Sequence, residues 1–179
     1  LGHAERAALI WEDFQGNGRT FTFDQLRRRS DAIAQFLRNL GLGPGDRICL
    51  FMDRVPELYL GFLAVLKMGG IAQPLFSAFG EESLQVRLEN AGAAAVLTQK
   101  KHLAKVRKIR DALPQLRHTV VVDAGTAALQ PREVSMVMDA LPEVPGFEVA
   151  HTTPGTPSVL HYTSGTTGQP KGALHGHGS

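Results

Sequence analysis

The sequence lacks most of the features that mark secreted, membrane-spanning or nucleic-acid-binding proteins. It has a single cysteine, Cys49, which excludes an internal disulfide framework and is typical of a reducing cytoplasm. Its 19 basic and 17 acidic residues leave a formal net charge of +2, too balanced to indicate nucleic acid or a membrane surface as a partner. No signal peptide and no membrane-length apolar run is evident. These absences predict a cytoplasmic protein.

Apolar residues are plentiful and make up 43% of the 179 residues, enough to form the core of one compact unit. Cys49 lies in the apolar run Arg47–Met52, which predicts a buried structural thiol. The chain begins without methionine and its last residues do not resemble a natural stop, so we expect a fragment cut at both ends.

Strand and helix patterns alternate along the chain. The predicted strands are Ala7–Trp11, Thr20–Phe23, Arg47–Met52, Ile71–Phe76, Ala94–Thr98, Thr119–Val122 and Ser158–Tyr162. Helices are predicted after Thr22 and Glu81, over Glu57–Met68 and Lys100–Leu113, and as a short segment over Arg132–Leu141. The alternation predicts an α/β fold, a largely parallel sheet with flanking helices, whose ligands bind beyond the carboxyl ends of the strands.

Two of these helices carry basic runs, Arg27–Arg29 and the lysines and arginines of residues 100–110. Nucleic-acid binding is one interpretation of the second run. Solvated helix faces are favoured for both, because no aromatic residues are interleaved to stack on bases.

Hydroxyl side chains, glycines and a lysine are concentrated in residues 163–172, directly after the last predicted strand. Glycines allow close backbone approach to a ligand, while hydroxyl and N–H groups suit phosphate oxygens. The pattern differs from the Walker and dinucleotide-binding motifs, since Pro170 precedes Lys171 and Gly172 follows it. Composition alone leaves open a phosphate-binding loop or a polar turn, followed by a short strand near Ala173–His175.

The order of these residues resembles a known signature. Residues 162–172 read Tyr-Thr-Ser-Gly-Thr-Thr-Gly-Gln-Pro-Lys-Gly, which resembles the signature of the adenylate-forming superfamily of acyl-CoA synthetases, luciferases and peptide-synthetase adenylation domains. Further segments resemble the same family: Thr20–Leu26, Gly45–Ile48, Val55–Glu57, Lys67–Gly70 and Pro74–Phe79. Leu160–Tyr162 and Phe76–Gly80 are most similar to acetyl- and other short-chain acyl-CoA synthetases.

The resemblance implies a two-step ligase. A small carboxylate would attack the α-phosphate of ATP, with Mg²⁺, and coenzyme A would then displace AMP to form a thioester. The implied phosphate-binding residues are Thr163, Ser164, Gly165, Thr166, Thr167, Gly168 and Lys171. Phe76, Ser77 and Ala78 are implied to lie where the nucleotide end of coenzyme A docks, although Ser77-Ala78 departs from a more glycine-rich family pattern.

The resemblance also implies that residues 1–179 are the N-terminal portion of the large AMP-binding domain. The adenine and acyl pockets, the magnesium-binding glutamate and the C-terminal lid domain with its catalytic lysine would follow the signature. We therefore expect the chain alone to lack catalytic residues and to be inactive, and its uncovered edges to favour self-association. The alternatives are a non-catalytic nucleotide-binding or scaffold module, and an adenylation domain of the peptide-synthetase type.

The histidines His161, His175 and His177 permit a metal interpretation, but a loop or tag-like pair is favoured because a metal site needs more ligands. No metal site is predicted from residues of this chain. Asp123, after a predicted strand, is interpreted as a turn residue rather than a ligand contact.

Overall fold

A computed structural model describes residues 2–163 and 170–179. The strands in this part of the chain are β1 (Ala7–Glu12), β2 (Gly18–Thr22), β3 (Arg47–Phe51), β4 (Ile71–Pro74), β5 (Ala95–Thr98), β6 (His118–Val121), β7 (Glu133–Ser135), β8 (Pro157–Thr163) and β9 (Lys171–Gly176). The helices are α1 (Phe23–Asn39), α2 (Pro56–Lys67), α3 (Glu81–Ala91) and α4 (Leu103–Ile109).

The described strands form an antiparallel hairpin, β1–β2, and a larger sheet in the order β7-β6-β5-β3-β4-β8-β9. Every neighbouring pair in the larger sheet is parallel except β8 and β9, which are antiparallel. The predicted α/β fold with a largely parallel sheet is therefore confirmed. The parallel strands place their carboxyl ends at one edge of the sheet, here called the carboxyl edge.

β3 shows why the sheet is covered on both faces. Successive side chains of a strand point to opposite faces. Ile48 and Leu50 belong to the core cluster that includes residues of α1 and α2, whereas Cys49 and Phe51 belong to the cluster that includes residues of α3 and α4. A continuous apolar run is the pattern that such a strand requires. Cys49 is fully buried, as predicted, and burial raises the pKa of its thiol.

α1 begins with the predicted capping box. The Gln25 N–H donates to the Thr22 hydroxyl at 3.2 Å, and the Thr22 N–H donates to Gln25 Oε1 at 2.9 Å. These two bonds satisfy backbone donors that the first turn of a helix leaves without partners. The chain leaves α1 through Gly41, whose φ of 76° lies in the left-handed region that favours glycine.

The predicted helix over residues 132–141 is wrong. Residues Glu133–Ser135 form the edge strand β7, and Met138–Ala140 form a single 3-10 turn. Burial alternates here: Val134 is half-buried and Met136 and Met138 are buried, whereas Ser135 and Val137 between them are exposed. This alternation is the period of a strand, and pairing with β6 determined the outcome.

The predicted helix over residues 100–113 is interrupted. Lys100–His102 and Arg110–Ala112 are 3-10 turns on either side of the shorter α4. The predicted inner face is confirmed, because Leu103, Val106, Ile109 and Leu113 are buried.

Several basic side chains of the two runs pair with acidic side chains rather than projecting freely. Lys108 pairs with Glu81, and Arg107 and Arg110 both pair with Glu133. In α1, Arg28 pairs with Asp24 and Glu143.

In the described part of the chain, no helix has the length and apolarity needed to cross a membrane.

Glu133 joins the edge strand to α4 through a buried ion pair. Its carboxylate accepts bonds from Arg107 Nη2 at 2.7 Å and Arg110 Nη1 at 2.9 Å, and its side chain has no exposed surface. The hydrogen bond from Arg107 is the main cause that lowers the pKa of Glu133, and burial opposes it. Since a buried charge needs its partners, this pair determines how firmly β7 is held.

We expect Glu133→Gln to lower the free energy of unfolding at neutral pH by about 2–3 kcal/mol, because two arginines lose a buried counter-ion. A carboxyl group with a lowered folded-state pKa stabilises fully above its unfolded pKa of about 4.3, and this contribution is lost as the pH falls through the folded-state pKa. The difference between the two proteins should therefore shrink in acid. Urea unfolding across pH measures it, with exposed Glu148→Gln as the control. Equal stability of Glu133→Gln and the parent chain at neutral pH would contradict this account.

Candidate functional site

The two residues on either side of the candidate phosphate loop face each other. Thr163 at the end of β8 pairs in register with Lys171 at the start of β9. Because β8 runs parallel to β4, this end of the pair lies at the carboxyl edge. Both residues are exposed, so the Thr163 hydroxyl and the Lys171 ammonium are accessible to a ligand.

The other predicted phosphate-binding residues, Ser164, Gly165, Thr166, Thr167 and Gly168, lie outside the described residues. Their assignment remains a prediction. The predicted short strand after them is confirmed, since Ala173–His175 is the central part of β9.

Tyr162 anchors the end of β8. Its hydroxyl donates to Asn90 Oδ1 in α3 at 2.7 Å, and burial raises the pKa of that hydroxyl. Across the strand pair lies Gly172, where an added Cβ would come within 3.0 Å of Leu160 and 3.4 Å of the Tyr162 ring. A larger residue at this position would push against the ring that holds β8 to α3.

A groove of about 770 Å³ lies at the same edge, beyond the ends of β3 and β4. The aromatic residues that line it are Trp11, Phe14 and Phe76, and the charged or polar ones are Glu12, Asp13, Asp53, Arg54, Ser77 and Lys101. The Trp11 indole N–H donates to the Arg54 carbonyl at 2.6 Å, which ties the β1–β2 hairpin to the loop after β3. The predicted coenzyme A residues Phe76, Ser77 and Ala78 therefore share one groove.

Asp53 connects the loops at this edge. Its carboxylate pairs with Lys101 and lies 2.9 Å from His102 Nε2, and its own N–H donates to Gln99 Oε1 at 2.9 Å. The pKa of Asp53 lies well below its ordinary value, chiefly because of Lys101 and then because of the Ser77 hydroxyl. One carboxylate thus interacts with residues that follow both β4 and β5.

The loop after β4 is held by a second cation. Lys105 donates to the Ser77 carbonyl at 3.2 Å and to the Phe79 carbonyl at 2.9 Å. Phe79 contacts Phe76 edge to face, and the Arg87 guanidinium lies 4.3 Å from the centre of the Phe79 ring. Although Phe76 is 66% exposed, its loop has fixed backbone contacts.

Asp123 has the structural role that the sequence indicated. Its carboxylate accepts the backbone N–H of Lys100 and so connects the end of β6 to the turn after β5. The rings of His161 and His175 meet edge to face at 5.6 Å across β8 and β9. Among residues 2–163 and 170–179, no group of three or more His, Cys, Asp or Glu side chains could hold a metal ion.

The sequence predictions missed Asp53, Lys101 and Trp11 as groove residues, and His102 as a contact of Asp53. Their positions contained a signal, since Asp53 follows β3 and Lys101 follows β5, where ligand-binding residues of a parallel sheet are found.

A second groove, of about 760 Å³, is almost entirely apolar and shares Leu58 with the first. Residues of α1 and α2 form most of it, including Phe23, Leu26, Tyr59, Phe62 and Leu63. Phe23 and Tyr59 are 55% and 42% exposed. Exposed apolar area of this kind is typical of a surface that another chain segment or subunit covers.

Comparisons with known proteins agree with this geometry. An acetyl-coenzyme A synthetase of Bacillus subtilis is 36% identical over 98% of this chain and 31% of that protein. A 3-hydroxypropionyl-coenzyme A synthetase of Sulfurisphaera tokodaii is 30% identical over 97% of this chain and 28% of that protein. The chain thus spans about a third of the length of these curated relatives.

Solved structures show the same relationship. The anthranilate CoA ligase AuaEII, solved in complex with anthranoyl-AMP, superposes with a TM-score of 0.83 and 26% identity, over 98% of this chain and 32% of that one. The model of the AMP-binding enzyme family matches residues 2–179. The described strands, the pairing of Thr163 with Lys171 at the carboxyl edge and these matches lead to one conclusion: the chain belongs to the AMP-binding enzyme family.

Proposed function

We propose that the chain is the N-terminal portion of an acid–CoA ligase that activates a small carboxylate with ATP. A carboxylate oxygen attacks the α-phosphorus and pyrophosphate leaves. The thiolate of coenzyme A then attacks the acyl carbon and AMP leaves, giving the thioester. The observation that carries the proposal is the pairing of Thr163 with Lys171 at the carboxyl edge, at the two ends of a family signature.

In this proposal Thr163 and Lys171 contribute to holding the β- and γ-phosphates as pyrophosphate departs. A hydroxyl donates to a phosphate oxygen, and the ammonium lowers the energy of the charge that develops on the leaving group. Ser164, Thr166 and Thr167 add hydroxyl donors, and Gly165 and Gly168 allow close approach, by resemblance to the family. The likeness to acetyl- and 3-hydroxypropionyl-CoA synthetases supports a short-chain acid as substrate.

Coenzyme A is proposed to dock its nucleotide end in the groove of Phe76, Ser77 and Ala78. The exposed aromatic rings of Phe76 and Phe14 suit stacking with an adenine, the half-buried Trp11 lines the same groove, and Lys101 supplies positive charge for a phosphate. Mg²⁺ would accompany ATP and neutralise phosphate charge. Since the described residues contain no cluster that could bind a metal, we assign no Mg²⁺ ligand to this chain.

The ligase proposal differs from its alternatives in what the full-length protein does. A scaffold module would bind nucleotide without turnover, and a peptide-synthetase type of adenylation domain would pass its acyl group to a carrier protein rather than to free coenzyme A. We favour the ligase because the relatives named above are CoA ligases.

A small-molecule carboxylate is the proposed partner, with no nucleic acid or membrane involved. The proposed location is cytoplasmic, and the buried lone thiol of Cys49 is compatible with it.

Lys171→Ala in the full-length enzyme should lower carboxylate-dependent exchange of pyrophosphate into ATP about 100-fold, because the charge that stabilises the leaving group is lost. Lys171→Arg should retain part of the activity. Lys108→Ala is the matched control, since Lys108 is an exposed lysine that pairs with Glu81 on α3. Exchange by Lys171→Ala equal to that of the Lys108→Ala control would rule out the phosphate role.

The 179-residue chain by itself should show no pyrophosphate exchange, because by resemblance the acyl pocket and the catalytic lysine follow the signature. The assay compares the purified chain with its own Lys171→Ala variant. Exchange above that variant would show that the chain alone carries out adenylation.

We also propose that the isolated chain self-associates. In the described structure β9 is an edge strand whose side chains are mostly exposed, and Leu174 is 57% exposed. Static light scattering should therefore give a mass above the 19.4 kDa of one chain. Leu174→Lys should reduce it, because a charge on an edge strand opposes pairing, whereas Val149→Lys outside the sheet should not. A single species of 19.4 kDa would contradict the proposal.

A further inference from the structure

We propose that Asp53 is a positioning residue for coenzyme A, acting through Lys101 and the loop that carries Ser77. This inference rests on the proposed docking of coenzyme A in the groove at the carboxyl edge. It assigns a role to a residue that none of the sequence patterns singled out.

The contacts of Asp53 explain how it would act. Asp53 follows β3, Ser77 follows β4, and Lys101 and His102 follow β5, so its carboxylate interacts with residues that follow both of the strands flanking β3. A lysine side chain has a long flexible stem, and an unpaired Lys101 would sample many rotamers. Pairing with Asp53 restricts the ammonium to the groove. Binding of a ligand phosphate then costs less side-chain conformational entropy, because the lysine is already ordered.

Asp53 is itself held in place, which a positioning residue requires. Its N–H is fixed by Gln99, a side chain that is 9% exposed. His102, which contacts the other carboxylate oxygen, packs against the buried Phe51 ring at 5.4 Å. The carboxylate is therefore fixed by buried residues and in turn fixes groups at the surface of the groove.

The pairing leaves Lys101 able to bind a ligand. The Lys101 and Asp53 side chains are 54% and 38% exposed, so a phosphate can approach the ammonium without breaking the ion pair. Three donors on one ammonium allow it to contact a carboxylate and a phosphate together. The low pKa of Asp53 keeps the carboxylate charged, so the pair persists across the neutral range.

Steady-state kinetics of the full-length protein tests this role. Asp53→Ala should raise the KM for coenzyme A about fivefold, a size typical of coupled neighbours, and leave kcat and the KM for ATP unchanged. In a Lys101→Ala background the same substitution should change that KM less than twofold, because the residue through which Asp53 acts is absent. Asp53→Asn, which keeps an oxygen acceptor, should restore part of the loss.

Glu148→Ala is the control, because Glu148 is an exposed acidic residue outside the lining of this groove. A lower KM for coenzyme A in Asp53→Ala would overturn the proposal, since Asp53 would then compete with the ligand for Lys101. An unchanged KM, or equal losses for coenzyme A and ATP with a lower melting temperature, would overturn it as well.

Failure of the underlying function is distinguishable from failure of this inference. If the wild-type protein forms no thioester with coenzyme A, the proposed ligase function fails. If it does, but Phe76→Ala and Lys101→Ala both leave the KM for coenzyme A unchanged, the groove is not the docking site and Asp53 has no such role. If only the Asp53 variants behave like wild type, the groove assignment stands and the positioning role alone is wrong.

Discussion

The carboxyl ends of four adjacent parallel strands, β5, β3, β4 and β8, meet at one edge of the sheet, and the candidate site depends on this arrangement. The strands can be parallel because helices cover both faces, as the alternating core contacts of β3 show. The loops after these strands therefore converge although they are far apart in the chain. Lys101 and Asp53, which form an ion pair, are separated by 48 residues.

Local features of the fold were predictable because their causes are local. The capping box of Thr22 and Gln25 lies within one helical turn. The continuous apolar run of β3 indicates that both faces of the strand are buried. Residues 132–141 were mispredicted because pairing with β6 and the bond from Glu133 to α4 decide their conformation. Those partners are distant in the sequence, and contacts with them override the local secondary-structure propensity of residues 132–141.

The candidate site also has one part that local sequence predicts and one part that it does not. The phosphate loop is a prediction that the sequence alone can make, because its residues are consecutive and their order is specific, and of its predicted phosphate-binding residues the structure describes Thr163 and Lys171. The Asp53 cluster could not be predicted, because Asp53, Ser77 and Lys101 come from three separate loops and none of them forms a motif by itself. Only the strand order 5-3-4 places these loops side by side.

α3 links the two parts of the candidate site. Asn90 near its end accepts the bond from Tyr162, which holds β8 just before the phosphate loop. Arg87, one turn earlier, lies over Phe79 in the loop that carries Phe76 and Ser77. Leu84 and Leu88 anchor the same helix in a core cluster against which Phe79 and Tyr162 also pack, so apolar and polar contacts together join α3 to β8 and to the loop after β4.

A helix that contacts both β8 and the loop after β4 sets the separation between those two elements. In the proposed ligase the phosphates of ATP and the nucleotide end of coenzyme A must occupy different places while the acyl group passes from one to the other. The β4–α3 unit can keep the two places apart. β4 lies between β3 and β8 in the sheet, and α3 contacts both β8 and the loop after β4. A shift of α3 would therefore move both sites together, whereas a change at Asp53 acts only on the loops after β3, β4 and β5. The two sites are thus coupled through α3, even though the groove can be altered on its own through Asp53.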